Sequence, residues 1–209
     1  ARAAHMNMVR VGGTMTYESE DFLAACDELG LLVWHDFQFA NMDYPVADPA
    51  FRRGVEAEAA QFLRRSQGHP SLALMCGGSE VAQQVSMMGL PRELWSGPLY
   101  DEVLPAAVRA HRPDVPYVAH SPWGGDLPFS TDSGVSHYYG VGAYLRPLED
   151  ARRAGVRFTS ECLGFSNVPS AASPGVPWDE AAKWKQAVPR DRGTDWDFED
   201  VRNHYVRLL

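Results

Sequence analysis

The sequence has no cluster of basic residues. Its 19 Lys and Arg stand against 27 Asp and Glu, a formal charge of −8. A chain this acidic is a poor match to a phosphate backbone or an anionic membrane, so neither nucleic acid nor membrane is an expected partner. Long hydrophobic runs are missing too. None approaches the ~20 residues that span a bilayer, and no signal peptide opens the chain, so the expected location leans toward the cytoplasm. The opening Ala1-Arg2-Ala3-Ala4-His5 reads like the tail of a helix, which suggests a start inside a larger protein. There are three cysteines, Cys26, Cys76 and Cys162, and no Cys-x-x-Cys spacing. That excludes a structural zinc site and a disulfide framework. Each cysteine has apolar neighbours, so buried free thiols are expected. Neither a repeat with a period of roughly 20–50 residues nor a Gly-x-Gly-x-x-Gly after the first strand is found, which argues against solenoids and dinucleotide binding.

What the sequence does contain is alternation. Short apolar runs at 8–11, 31–36, 72–76, 117–120, 135–138 and 157–160 read as strands covered on both faces. Amphipathic stretches separate them. From Glu18 to Leu29, Phe22, Leu23, Cys26 and Leu29 share a stripe, with Ser19 as N-cap and Gly30 past the end. From Pro49 to Ser66, Phe51, Val55, Ala59, Phe62 and Leu63 share another, capped by Asp48. Residues 99–111 predict a helix weakened by Pro105, 147–154 a short one, and Phe198, Val201, Tyr205 and Leu208 a terminal one. The segment 123–134 is rich in Gly, Pro, Asp and Ser and predicts no helix. Strand–helix alternation predicts an α/β fold with a parallel sheet, either doubly wound or a (β/α)8 TIM-type barrel. Six strands in one domain spanning 1–209 predict an incomplete barrel, since a full one takes roughly 250 residues.

Polar residues gather after the strands, where α/β proteins bind ligands. Cys76-Gly77-Gly78-Ser79-Glu80 follows the third strand and Thr159-Ser160-Glu161-Cys162 the sixth. Helix N-termini also favour acidic residues, but two carboxylates facing one cavity are the equipment of glycoside hydrolysis. One must keep its proton to act on the leaving oxygen, and the other must stay ionised. A separation of about 5–5.5 Å gives retention and roughly 6.5–9.5 Å gives inversion. Trp34, Phe37, Phe39, Tyr44, Trp123, Phe129, Tyr138, Tyr139 and Tyr144 lie at or beyond strand ends. They serve either as core or as flat platforms for sugar rings.

The ordered runs 7–18, 26–40 with Tyr44-Pro45, 69–80, 134–141 and 157–166 resemble glycoside hydrolase family 2, in its β-mannosidase branch. The resemblance implies a (β/α)8 barrel in which the six strands are strands two to seven. The first strand and the preceding β-sandwich domains are then absent from this chain. It implies a retaining exo-β-glycosidase with no metal or cofactor, acting on terminal β-linked sugars, β-mannosides first. Glu80 is then the acid/base and Glu161 the nucleophile. Arg10 lies near the nucleophile, and His137 and Tyr139 line the pocket after strand six. Trp34, Asp36, Ser79 and Trp123 complete the expected substrate contacts. The chain departs from the family at Ser79, where an asparagine usually precedes the acid/base. Asn41 or Gln83 reaching in would compensate. Otherwise the departure points to a β-glucuronidase- or β-galactosidase-type activity, or to a relative that binds sugar without cleaving it. The segment 170–196 is expected either to cap the site or to run along the barrel's outside.

Overall fold

The computed structural model describes residues 1–41, 43–162 and 198–208. The segment 170–196 therefore lies outside the described residues. The chain divides into two units, Ala1–Ser130 and Thr131–Leu209.

The first unit alternates strand and helix as expected. In chain order it runs β1 (Met8–Val11), α1 (Glu20–Leu29), β2 (Leu32–Asp36), α2 (Pro49–Arg65), β3 (Leu72–Cys76), α3 (Val81–Met87), α4 (Leu104–His111) and β4 (Tyr117–Val118). The four strands are parallel and lie in the order β1-β2-β3-β4, each beside its predecessor. Both predicted caps form. The Ser19 side chain accepts from the Phe22 N–H at 3.2 Å, and Asp48 accepts from the Ala50 N–H at 2.8 Å. Gly30 closes α1 at φ +66°, a conformation that costs glycine nothing. The stripe of α1 is narrower than predicted. Leu23 and Cys26 are buried, but Leu29 is exposed. Pro105 does not break its helix. The backbone widens into a π turn over Leu99–Val103, and Pro105 then sits in the first turn of α4, where its missing N–H is not needed. Helix α3 has only four hydrophobic residues, in no clear period, and the sequence reading did not anticipate it.

Leu23, Val33, Phe37, Phe62, Leu63, Met75 and Leu104 form the heart of the core. Burying each such side chain contributes about 1.5–3 kcal/mol. Asp27 ties α1 to the turn before β3. It accepts from the Ser71 N–H at 2.8 Å and meets His69 Nδ1 at 2.6 Å. Burial works against its charge, but the bonds from Ser71 and His69 outweigh that and hold its carboxyl below the usual range.

The second unit pairs β5 (Ser136–Tyr138) with β6 (Thr159–Cys162) in parallel, with α5 (Asp150–Arg153) between them and α6 (Phe198–Val206) after. Strand β6 starts two residues later than the sequence pattern suggests. Arg157 and the apolar Phe158 are left outside it, and Glu161 lies within the strand rather than past its end. Cys162 is exposed, which corrects the expectation of three buried thiols; Cys26 and Cys76 are buried and free. Tyr138 and Val141 pack with Val201 and Tyr205 of α6, and the Tyr205 hydroxyl donates to the Arg146 carbonyl at 2.9 Å. No helix among the described residues is long and apolar enough to cross a membrane.

Two core histidines carry a pH dependence. His35 is fully buried against Phe62, 4.5 Å between ring centroids. Its Nδ1 meets the Asp36 carbonyl at 2.7 Å, and its Nε2 has no partner among the described residues. Burial pulls its pKa down to about 4, against the opposing pull of Asp36, and burial pulls His120 down to about 3. The unfolded chain takes up protons near pH 6.5 that the folded chain refuses. Stability is therefore full above about pH 6.5 and falls as pH drops toward 4, by up to about 1.4 kcal/mol per pH unit for each histidine. Urea unfolding between pH 7 and 5 should show this slope, reduced by about one proton in His35→Asn. A flat profile contradicts it.

Candidate active site

In the first unit the site is built where β1, β2 and β3 end. Asp36 closes β2 and is fully buried. An ionised carboxylate so placed needs its lone pairs filled, and three neighbours fill them. Arg10 of β1 donates from Nη2 at 2.6 Å and more weakly from Nε at 3.4 Å. The Trp34 indole N–H donates at 2.7 Å and the Gly13 N–H at 3.0 Å. Arg10 Nη2 also donates to the Ser79 hydroxyl at 3.2 Å, so one guanidinium joins the ends of three strands.

Ser79 and Glu80 are held by backbone on both sides. Ser79 N–H donates to Phe39 O at 2.9 Å, Asn41 N–H to Ser79 O at 3.0 Å, and Glu80 N–H to Ser121 O at 2.7 Å. This clasp requires the two preceding glycines. A Cβ on Gly77 would lie 2.3 Å from the Ala119 carbonyl oxygen, and one on Gly78 would lie 2.9 Å from that of Phe39. Glu80 itself takes φ +60°, the left-handed region that costs a non-glycine residue about 1–2 kcal/mol, and it caps α3. The Gln83 amide, one turn on, donates to Glu80 Oε1 at 3.1 Å. Gln83 therefore holds Glu80, where the sequence offered it as a substitute contact beside Ser79. The spacing of three on a helix was the signal that could have found this contact.

In the second unit Glu161 sits opposite His137 in the β5–β6 register. His137 Nδ1 lies 3.5 Å from Glu161 Oε2, and the Tyr139 hydroxyl donates to that same oxygen. The Glu161 side chain is 30 % exposed and that of His137 only 2 %. The pocket-lining pair expected after β5 thus contacts Glu161. Nearby, the Tyr138 hydroxyl donates to Asp150 at 2.6 Å. Its own burial and the Asp150 charge push its pKa up to about 12.

The aromatic set divides. Trp34, Phe37, Phe39 and Tyr138 are buried and serve packing, and the Trp34 N–H is spent on Asp36. Phe129 and Tyr144 are exposed. Trp123 is half-buried, tilts against His120 at 4.9 Å between centroids, and lines a cavity of about 110 Å³ with Arg92 and Trp95.

Removing Asp36 would leave the Arg10 charge in a low-dielectric pocket. Asp36→Ala should cost about 3–5 kcal/mol of unfolding free energy, much of it recovered when Arg10→Met is added. Urea unfolding of the single and double variants checks this. A cost below about 1 kcal/mol for Asp36→Ala contradicts it.

Comparison with known proteins points one way. No protein-family model matches the chain. It is 35 % identical over 154 residues to β-mannosidase of Rattus norvegicus, covering 65 % of this chain and 17 % of that protein. It is 35 % identical over 151 residues to β-mannosidase B of Emericella nidulans, covering 66 % and 18 %. The chain thus spans less than a fifth of the length of these curated relatives. Among solved structures, the β-D-mannosidase from Dictyoglomus thermophilum superposes with a TM-score of 0.70 at 35 % identity, over 79 % of this chain and 20 % of that one. In sequence and in backbone, the chain carries a β-mannosidase-like domain of glycoside hydrolase family 2.

Proposed function

We propose that this chain carries the catalytic carboxylates of a retaining, exo-acting β-mannosidase built on a (β/α)8 barrel, with β1–β6 as strands two to seven of one catalytic domain. The strictly sequential order β1-β2-β3-β4 supports the barrel, because a doubly wound sheet reverses its strand order and a barrel does not. One observation carries the function. Each unit presents a glutamate on a parallel strand or just beyond it, held by its own polar neighbours, within a chain similar to β-mannosidases.

The substrate is a carbohydrate with a terminal β-linked sugar. Glu80 gives its proton to the glycosidic oxygen as the bond to the anomeric carbon breaks, while a Glu161 oxygen attacks that carbon from the opposite face. The product is a glycosyl ester on Glu161 and a free alcohol. Glu80, now ionised, takes a proton from water, whose oxygen displaces Glu161 and releases the sugar. The Gln83 amide steadies Glu80, and the Tyr139 hydroxyl steadies the Glu161 oxygen it contacts. Arg10 and Ser79 form a polar floor for sugar hydroxyls, with the buried Asp36 and the Trp34 indole holding Arg10 in place from beneath. Trp123 and His137 contribute to the walls.

Replacing the nucleophile removes the covalent intermediate. Glu161→Gln should fold normally and lose at least about 10³-fold in turnover of an aryl β-mannoside; near-normal turnover rules the assignment out. Glu80→Ala should still form the intermediate from a substrate with a very good leaving group, and azide should restore its breakdown. Absence of both a burst and azide rescue removes Glu80 from the acid/base role. Faster hydrolysis of another sugar in a panel of chromogenic glycosides would reassign the activity within the family.

A further inference from the structure

The first unit also holds a cavity of about 490 Å³ between the loop 41–46, α3 and the segment 94–100. That volume is within the range of roughly 300–1,000 Å³ that holds small ligands. Three aromatic residues line it, Tyr44, Trp95 and Tyr100, together with one carboxylate, Asp43. Among the described residues that line it, none is Lys, Arg or His, so no cation of the cavity's own offsets that charge. Tyr44 and Tyr100 are fixed edge-on against the same buried ring, Phe39, with centroids 4.8 and 6.4 Å away. The Trp95 ring already attracts one cation, the Arg92 guanidinium, 5.5 Å from its centroid, but Arg92 is not part of this lining.

Tyr100 adds a polar group in need of a partner. It is 6 % exposed, and its hydroxyl has no hydrogen-bond partner among the described residues. Native structures give such a buried group a partner, because leaving it without one is costly. Burial first, and then Tyr44 and Asp43, push its pKa above the ordinary tyrosine value. Both of those neighbours line the cavity. The hydroxyl therefore lies toward the acidic end of the cavity, stays neutral, and has an oxygen able to accept an N–H. We infer that this cavity binds a small organic cation, a protonated amine with an apolar body. The ammonium donates to the Tyr100 oxygen and pairs with Asp43, the aromatic rings attract the same charge through their π faces, and the hydrocarbon part lies along Val81, Val85 and Leu99. An anion would be repelled by Asp43, and a neutral molecule of the same shape forgoes both the carboxylate and the ring attraction. Asp43 is exposed, so its charge alone is well screened. The rings and the desolvated hydroxyl supply the rest of the selectivity. The inference uses neither proposed catalytic glutamate and stands apart from the glycosidase reading.

The test is isothermal titration calorimetry of the full chain at neutral pH with phenethylamine and with 2-phenylethanol, its neutral counterpart. The amine should bind at least about tenfold more tightly than the alcohol. Asp43→Asn, a change at an exposed position, should remove most of that preference. Tyr100→Phe should weaken amine binding at least about fivefold. Its thermal midpoint should stay unchanged or rise, because the variant loses a buried hydroxyl that has no partner in the free protein's described residues. Glu80→Gln should leave amine binding unchanged. Equal binding of the two compounds, tighter binding of the alcohol, or no binding of either overturns the inference. So does an amine affinity that survives both Asp43→Asn and Tyr100→Phe. A fall of thermal midpoint together with affinity in Tyr100→Phe makes that tyrosine structural and counts against the site. Loss of amine binding in Glu80→Gln places the amine at the proposed acid/base instead and overturns the inference as well.

Discussion

Asp36 is the point on which the first unit's site depends. A carboxylate with no exposure to water is tolerable only when its oxygens are filled, and filling them draws in groups from three places: the guanidinium of Arg10, the indole of Trp34 and the backbone of Gly13. Arg10 in turn reaches Ser79. Through this chain of contacts the polar ends of β1, β2 and β3 form one rigid object, with Glu80 attached to it by a strained backbone and a hydrogen bond from Gln83. Stability and chemistry are coupled at this point. The ion pair that lets polar residues sit inside the strand ends also sets where Glu80 begins.

The two glutamates are supported differently, in keeping with their proposed tasks. Glu80 is contacted by a neutral amide and held at the start of a helix. Glu161 is contacted by a phenol hydroxyl and an imidazole across a strand pair. A group that cycles between acid and base needs a partner tolerant of both forms, and an amide provides one. A nucleophile needs a fixed oxygen, and a rigid aromatic hydroxyl provides it.

Much of the fold was legible because the relevant signals are local. Ser19, Asp48 and Gly30 announce helix ends through short-range geometry, and the runs at β1, β2 and β3 are apolar enough to be recognised without tertiary context. Strand β6 was displaced in the reading because Thr159-Ser160-Glu161 is polar, whereas the adjacent Phe158 is apolar. Only pairing with β5 locates it. The aromatic residues were ambiguous for a related reason. A tryptophan beside a polar strand end reads equally as sugar platform or as core, and Trp34 is settled as core only by the position of the Asp36 carboxylate. The role of Gln83 depends on where α3 lies, and the sequence of α3 carries little helical signal.

The central claim is that Glu161 becomes covalently bonded to the sugar. Incubation with a 2-deoxy-2-fluoro-β-D-mannosyl fluoride, which slows breakdown of the intermediate more than its formation, followed by proteolysis and mass spectrometry, tests it directly. The account predicts one fluorosugar per chain, on the peptide containing Glu161 and bonded to that residue. A label on Glu80 or any other residue, from a chain that hydrolyses β-mannosides, would contradict it.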